Sequence, residues 1–169
     1  MNKLYLFCGI PFAGKTTLAK KVASRFGYTR IDLDEVKFEL LGNDVNDETI
    51  DQSSWDPIYQ EMYHRIDNAL KRGETVIHDT GNFTIYEREL VRKIGQKLGI
   101  EVITVFVDTP TKVAHQRLLE NRQKNNRFDI SEKSFESAVA EMEPPALDEK
   151  QIIFAENEDI DTWIKKNFI

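Results

Sequence analysis

A chain of 169 residues with 40% apolar and 31% charged content is long enough to bury a core in one domain without disulfides or structural metals. Its 29 acidic and 23 basic residues leave a net charge of −6, which disfavours polynucleotide partners unless the basic residues gather on one face. No apolar run approaches the roughly 20 residues of a membrane span, and Leu4–Cys8 is too short for a secretory signal, so a cytoplasmic location is expected.

Leu4 to Cys8 is an apolar run ending at Gly9, which suits a strand buried on both faces, and the single cysteine reads as a small core residue. Leu18, Val22 and Phe26 recur at helical spacing until Gly27 stops them. Thr29–Leu33 can form a second strand, followed by a short helix through Val36 and Leu40 to Gly42 and then a polar loop over 43–53. With Ser54 as N-cap and Pro57 in the first turn, the stripe Trp55, Ile58, Tyr59, Met62, Ile66 and Leu70 predicts a helix ending near Gly73.

Thr75–His78 is a third strand, and the capping box from Thr84 to Glu87 opens a helix to Gly99. Val102–Val107 is a fourth strand, and Thr109-Pro110 starts a helix as N-cap and first helical residue. That helix runs toward Arg122, before the polar and mobile stretch Gln123–Arg127. A helix through Phe135 and Met142, a fifth strand over Gln151–Phe154 and a closing helix through Trp163 complete the chain. Alternating strands and helices over residues 1–169 predict one α/β domain: a three-layer α/β/α sandwich with a parallel sheet of about five strands.

Gly9-Ile10-Pro11-Phe12-Ala13-Gly14-Lys15-Thr16 has the P-loop spacing, with a strand before it and a helix after it. Glycines let successive backbone N–H groups turn inward on a phosphate, and a helix N-terminus points partial positive charge at it. Residues 9–17, including Thr17, are therefore expected to hold the phosphates of ATP, with Lys15 near the β- and γ-phosphates and Thr16 on Mg²⁺.

Asp32 and Asp34 stand at the carboxyl end of strand two, where ligands bind in this architecture. Asp34 is expected to accept the proton of an acceptor hydroxyl and Asp32 to serve the metal side, though both residue types also cap helices. Asp79 ends strand three as a further metal-side carboxylate, with Asn82 behind it, and His78 reads as a packed residue. Arg117, Arg122 and Arg127 mark a lid over 117–131, Arg122 and Arg127 toward the transferred phosphate and Arg117 toward the adenine. Trp55, Tyr59 and Tyr63 could wall an acceptor pocket or pack in the core.

The P-loop, with Val76-Ile77-His78-Asp79-Thr80-Gly81-Asn82 and Tyr86-Glu87-Arg88, resembles the P-loop kinase superfamily. The branch in question includes phage polynucleotide kinase, zeta toxin, chloramphenicol phosphotransferase, gluconate kinase and shikimate kinase. By that resemblance Asp34 activates the acceptor, and Lys37, Asp79, Asn82 and Arg88 contact it. Lys37 stands where polynucleotide kinase would carry a phosphate-holding arginine, and it lacks the bidentate fork. Ile31-Asp32-Leu33-Asp34 equally resembles the Asp-x-Asp of shikimate kinase, so the motif leaves the acceptor class open. The expectation is an ATP- and Mg²⁺-dependent phosphotransferase acting on a small-molecule hydroxyl, with acceptor-binding residues in 34–73. A 5′-hydroxyl polynucleotide kinase and a P-loop hydrolase or binding module are the alternatives.

Overall fold

The computed structural model describes residues 1–125 and 127–168; of the polar stretch expected to be mobile, Asn126 lies outside them. Five strands, β1 (Lys3–Cys8), β2 (Thr29–Asp32), β3 (Val76–Asp79), β4 (Glu101–Asp108) and β5 (Gln151–Ala155), pair in parallel in the order β2-β3-β1-β4-β5. Between and after them run α1 (Lys15–Phe26), α2 (Leu33–Leu41), α3 (Gln52–Lys71), α4 (Ile85–Lys97), α5 (Thr111–Lys124), α6 (Glu132–Glu141) and α7 (Ile160–Asn167).

Strand β1 shows why the sheet needs helices on both faces, because alternate side chains of this buried strand enter different cores. Tyr5 and Phe7 pack with Leu18, Val22, Leu118, Trp163 and Phe168, whereas Leu4 and Leu6 pack with Ile58, Met62, Ile66 and Val91. Cys8 is fully buried at the end of β1, and burial raises its thiol pKa to about 12, so it remains a small core residue. No described helix is long and apolar enough to cross a membrane.

Several boundaries differ from the pattern-based expectation. Leu33 opens α2 rather than ending β2, because the Asp32 side chain accepts the backbone N–H groups of Asp34 and Glu35. Asp51, not Ser54, caps α3; its carboxylate accepts from Ser54 N at 2.8 Å. Pro57 consequently lies inside the helix, and the carbonyl it leaves unpaired belongs to exposed Ser53, within reach of water. Thr109 does not cap α5, whose N-cap is Pro110; its hydroxyl donates instead to the Ala13 carbonyl of the glycine loop at 2.9 Å. The capping box of Thr84 and Glu87 is present as expected.

His78 is packed, as its position suggested: buried on β3, it meets Met62 Sδ at 3.0 Å and Asn82 Nδ2 at 3.2 Å. Burial pushes its imidazole pKa down to about 3. An unfolded histidine titrates near about 6.5, so below that pH the unfolded state binds a proton that the native state refuses, and stability falls as pH drops toward 3. The expected loss is about 2 kcal/mol between pH 6.5 and pH 5 from this residue alone. Urea unfolding of the native chain and of His78→Gln at both pH values checks it: the variant should lose less stability on acidification, and an equal loss would refute the assignment.

Candidate functional site

The segment between β1 and α1 departs from ordinary backbone to make a concave surface. Gly9 has φ 150°, and a Cβ there would stand 2.7 Å from the Val107 carbonyl oxygen, so the loop admits only glycine at this position without shifting backbone. Gly14 takes φ 100° immediately before α1, and Phe12 is held at φ 61° between them. The Gly9 N–H donates to Gly81 O at 3.3 Å, and Arg117 donates to the Phe12 and Ala13 carbonyls at 3.2 and 3.0 Å. The amino end of α1 therefore closes the loop with its free N–H groups and partial positive charge.

Lys15 Nζ lies over the loop, donating to the carbonyls of Gly9 and Ile10 at 2.7 Å each. Burial pulls its pKa down to about 8, partly offset by the Asp79 carboxylate. Thr16 Oγ1 is 3.3 Å from Asp79 Oδ1. Burial and then the neighbouring Asp32 charge raise the Asp79 pKa to about 6, against Arg30, which donates to its other oxygen at 2.8 Å. A hydroxyl and a carboxylate on adjoining elements beside a phosphate loop fit Mg²⁺, which takes few protein oxygens and completes its octahedron with water and phosphate. No group of three metal-ligating side chains occurs among the described residues.

Asp32 is less free than its sequence position suggested. One oxygen caps α2 and the other accepts from Arg30 Nη1 at 2.5 Å, which makes it a brace for Arg30 and α2 rather than an available ligand. Asp34, in the first turn of α2, is exposed, with Lys37 Nζ at 2.8 Å from one oxygen. Both acids line the cleft of about 280 Å³ that contains Gly14, Lys15, Thr16 and Asp79. Trp55, Tyr59 and Tyr63 of α3 also line it, as do Asp47, Asn82, Phe83, Glu87 and Arg127.

Two expected acceptor contacts, Arg88 and Lys37, are corrected. Arg88 is fully buried and donates to both oxygens of Glu149 and to the carbonyls of Asn82 and Phe83, so its charge is spent holding the turn after β3. Lys37 is also fully buried; it bridges Asp34 and Asp47 at 2.8 and 2.6 Å and lies 4.5 and 5.4 Å from the ring centres of Phe38 and Phe128. Asn82 reaches the cleft, but its amide nitrogen donates to Phe7 O at 2.8 Å.

The three arginines of the α5 segment part company. Arg127 lies 4.2 Å from the centre of the Phe12 ring and lines the cleft. Arg122 instead braces its own segment, donating to Asp129, Glu132 and the Ile130 carbonyl. Arg117 is held on the loop carbonyls beside Gly14, with Glu156 at 3.5 Å. Residues 127–134 reach across to the segment after α2: Ser131 and Ser134 bond to Glu48, and Phe128 stands edge-on to Phe38 at 6.1 Å. Sequence reasoning missed Arg30, which joins Asp32, Asp79 and Glu35; its position two residues before Asp32 on β2 was the available signal.

A family model described as an AAA domain matches residues 4–145. Shikimate kinase of Nitratidesulfovibrio vulgaris is 24% identical over 132 residues, covering 77% of this chain and 71% of that protein. Thymidylate kinase of Staphylococcus epidermidis is 24% identical over 165 residues, covering 83% and 81%. Among solved structures, a Chloroflexus aurantiacus protein superposes with a TM-score of 0.76 at 19% identity, covering 98% of this chain and 94% of that one, which shows a shared fold. The loop from Gly9 to Thr16, the parallel sheet behind it and the match over residues 4–145 have one meaning: the chain belongs to this AAA-domain family and to the P-loop kinase superfamily.

Proposed function

We propose that the protein transfers the γ-phosphate of ATP to a hydroxyl of a small molecule. The carrying observation is that one cleft is lined both by Lys15 and Thr16 of the phosphate loop and by the exposed carboxylate of Asp34. The kinase names of the two sequence relatives support phosphoryl transfer to a small molecule and leave the acceptor group open.

In this reading the loop N–H groups and Lys15 hold the ATP phosphates, and Thr16 and Asp79 hold Mg²⁺. Mg²⁺ held there would supply charge neutralisation to the phosphates during transfer. The acceptor oxygen forms a bond to the γ-phosphorus as the bond from that phosphorus to the bridging oxygen breaks. Asp34 takes the hydroxyl proton, and ADP leaves with the negative charge of the broken bond. Lys15 and Arg127 face the charge that develops, and residues 127–134 limit water access to the cleft.

The burial of Arg88 and Lys37 favours a small acceptor over an oligonucleotide, since it removes two cations that could have gripped a nucleic-acid phosphate. The test incubates the protein with γ-labelled ATP, Mg²⁺, a 5′-hydroxyl oligonucleotide and a pool of small hydroxyl metabolites. Label is expected in the pool; label on the oligonucleotide would make the protein a nucleic-acid end kinase instead.

A further inference from the structure

The acceptor half of the cleft has a definite charge. Its lining carboxylates are Asp34, Asp47 and Glu87, while the lining cations are Lys15 and Arg127, both on the phosphate-loop side. Lys37 offsets one of the two aspartates that it bridges, from a fully buried position outside the lining. Arg30 and Arg88 are likewise paired elsewhere. An anionic acceptor would therefore enter a field of its own sign, since the only lining cations among the described residues, Lys15 and Arg127, lie beside the phosphate loop.

The same wall is aromatic. Trp55, Tyr59 and Tyr63 succeed one another along α3, with ring centres 5.9 and 6.2 Å apart, and all three line the cleft. Glu87 spends one carboxylate oxygen on the Thr84 N–H in the capping box, while the described residues give its other oxygen no hydrogen bond. Burial and then the Glu87 charge raise the phenol pKa of Tyr59, to about 12, and that of Tyr63. Carboxylate beside aromatic faces is the chemistry that receives an ammonium group. The chain already fills one such place with its own ammonium, because Lys37 sits between two carboxylates and near the rings of Phe38, Trp55 and Phe128.

We propose that the acceptor is an alcohol carrying a protonated amine, an amino alcohol or amino sugar, whose ammonium lies against Glu87 and the Tyr59 and Tyr63 rings while its hydroxyl faces Asp34. This rests on the kinase reading above and names the substrate class of that site. The amine makes and breaks no bond; it orients the alcohol and supplies charge complementarity, so its loss raises KM more than it lowers kcat.

The experiment uses the full chain, γ-labelled ATP and acceptors matched in skeleton and differing in charge: ethanolamine, ethylene glycol and glycolate; glucosamine, glucose and gluconate; and, as anions, shikimate and thymidine monophosphate. The aminated member of each set is expected to be labelled with the highest kcat/KM. Glu87→Gln, which keeps a residue able to complete the capping box, should raise its KM about tenfold or more with kcat changed by less than about threefold. The same variant should narrow the gap in kcat/KM between the aminated member and the neutral one. Salt should weaken use of the aminated acceptor in the wild type, a readout independent of how the variant folds. Neutral or anionic members preferred, or an unchanged KM in a folded Glu87→Gln protein, overturns the assignment and leaves the kinase reading standing. Label confined to inorganic phosphate with every acceptor overturns both.

Discussion

Asp34→Asn should lower phosphoryl transfer about 10²- to 10⁴-fold while ATP affinity stays within a few-fold of the wild type. The carboxylate is exposed on the first turn of α2 and shares its cleft with Lys15 and Thr16. Asparagine fills nearly the same volume, retains an oxygen that can accept from Lys37, and removes the negative charge together with the capacity to take a proton. Lys37 keeps Asp47 at 2.6 Å, so the variant does not strand a buried cation. Isothermal titration with a non-hydrolysable ATP analogue and initial rates with the identified acceptor separate the two effects. Transfer within tenfold of the wild type would remove Asp34 from the proton-accepting role.

Glu149→Gln should cost about 3–5 kcal/mol of stability, a fall in Tm of about 10 °C or more, although residue 149 lies in neither the phosphate loop nor the cleft lining. Its carboxylate accepts from Arg88 Nε and Nη2 at 3.0 and 2.9 Å, from Arg92 Nη2 at 2.7 Å, from Thr104 Oγ1 at 3.0 Å and from Ala146 N at 3.0 Å. Burial acts against its ionisation, but the Arg88 hydrogen bonds prevail and its pKa lies below the usual carboxylate value. Neutralising it leaves the fully buried Arg88 guanidinium without a counter-charge and Arg92 with Glu89 alone, at 2.7 Å. Thermal and urea unfolding of the variant check this; a change below about 1 kcal/mol would mean the network contributes little.

The elements whose signals are local were legible in the sequence. The phosphate loop was recognisable because strand, glycine spacing, Lys15 and helix all lie within residues 3–26, and the capping box because its partners are three residues apart. The order of strands and helices followed from periodicity, and with it a parallel sheet whose carboxyl ends carry the site. What failed depended on the fold. The first turn of α3 is polar, so the apolar stripe placed its start too late, at Ser54 instead of after Asp51. Arg88 and Lys37 looked available because charged side chains are ordinarily solvated, but Glu149 stands 61 residues from Arg88, and Asp47, which with Asp34 engages Lys37, stands 10 residues from it. Arg122 looked like a phosphate contact for the same reason, and it is taken by Asp129 and Glu132. The sequence could show which residues carry charge; only the packing shows which charges are spent.

A phosphotransferase acting on an alcohol sends the γ-phosphoryl group into an ester, and the partition of label in a single incubation tests this most directly. The purified protein is mixed with γ-labelled ATP, Mg²⁺ and the hydroxyl compounds above, and the products are resolved into phosphate esters and inorganic phosphate. An ester that accumulates in step with ADP, and disappears in Asp34→Asn, is the predicted result. ADP matched only by inorganic phosphate, at a rate that no acceptor changes and Asp34→Asn does not alter, would contradict it.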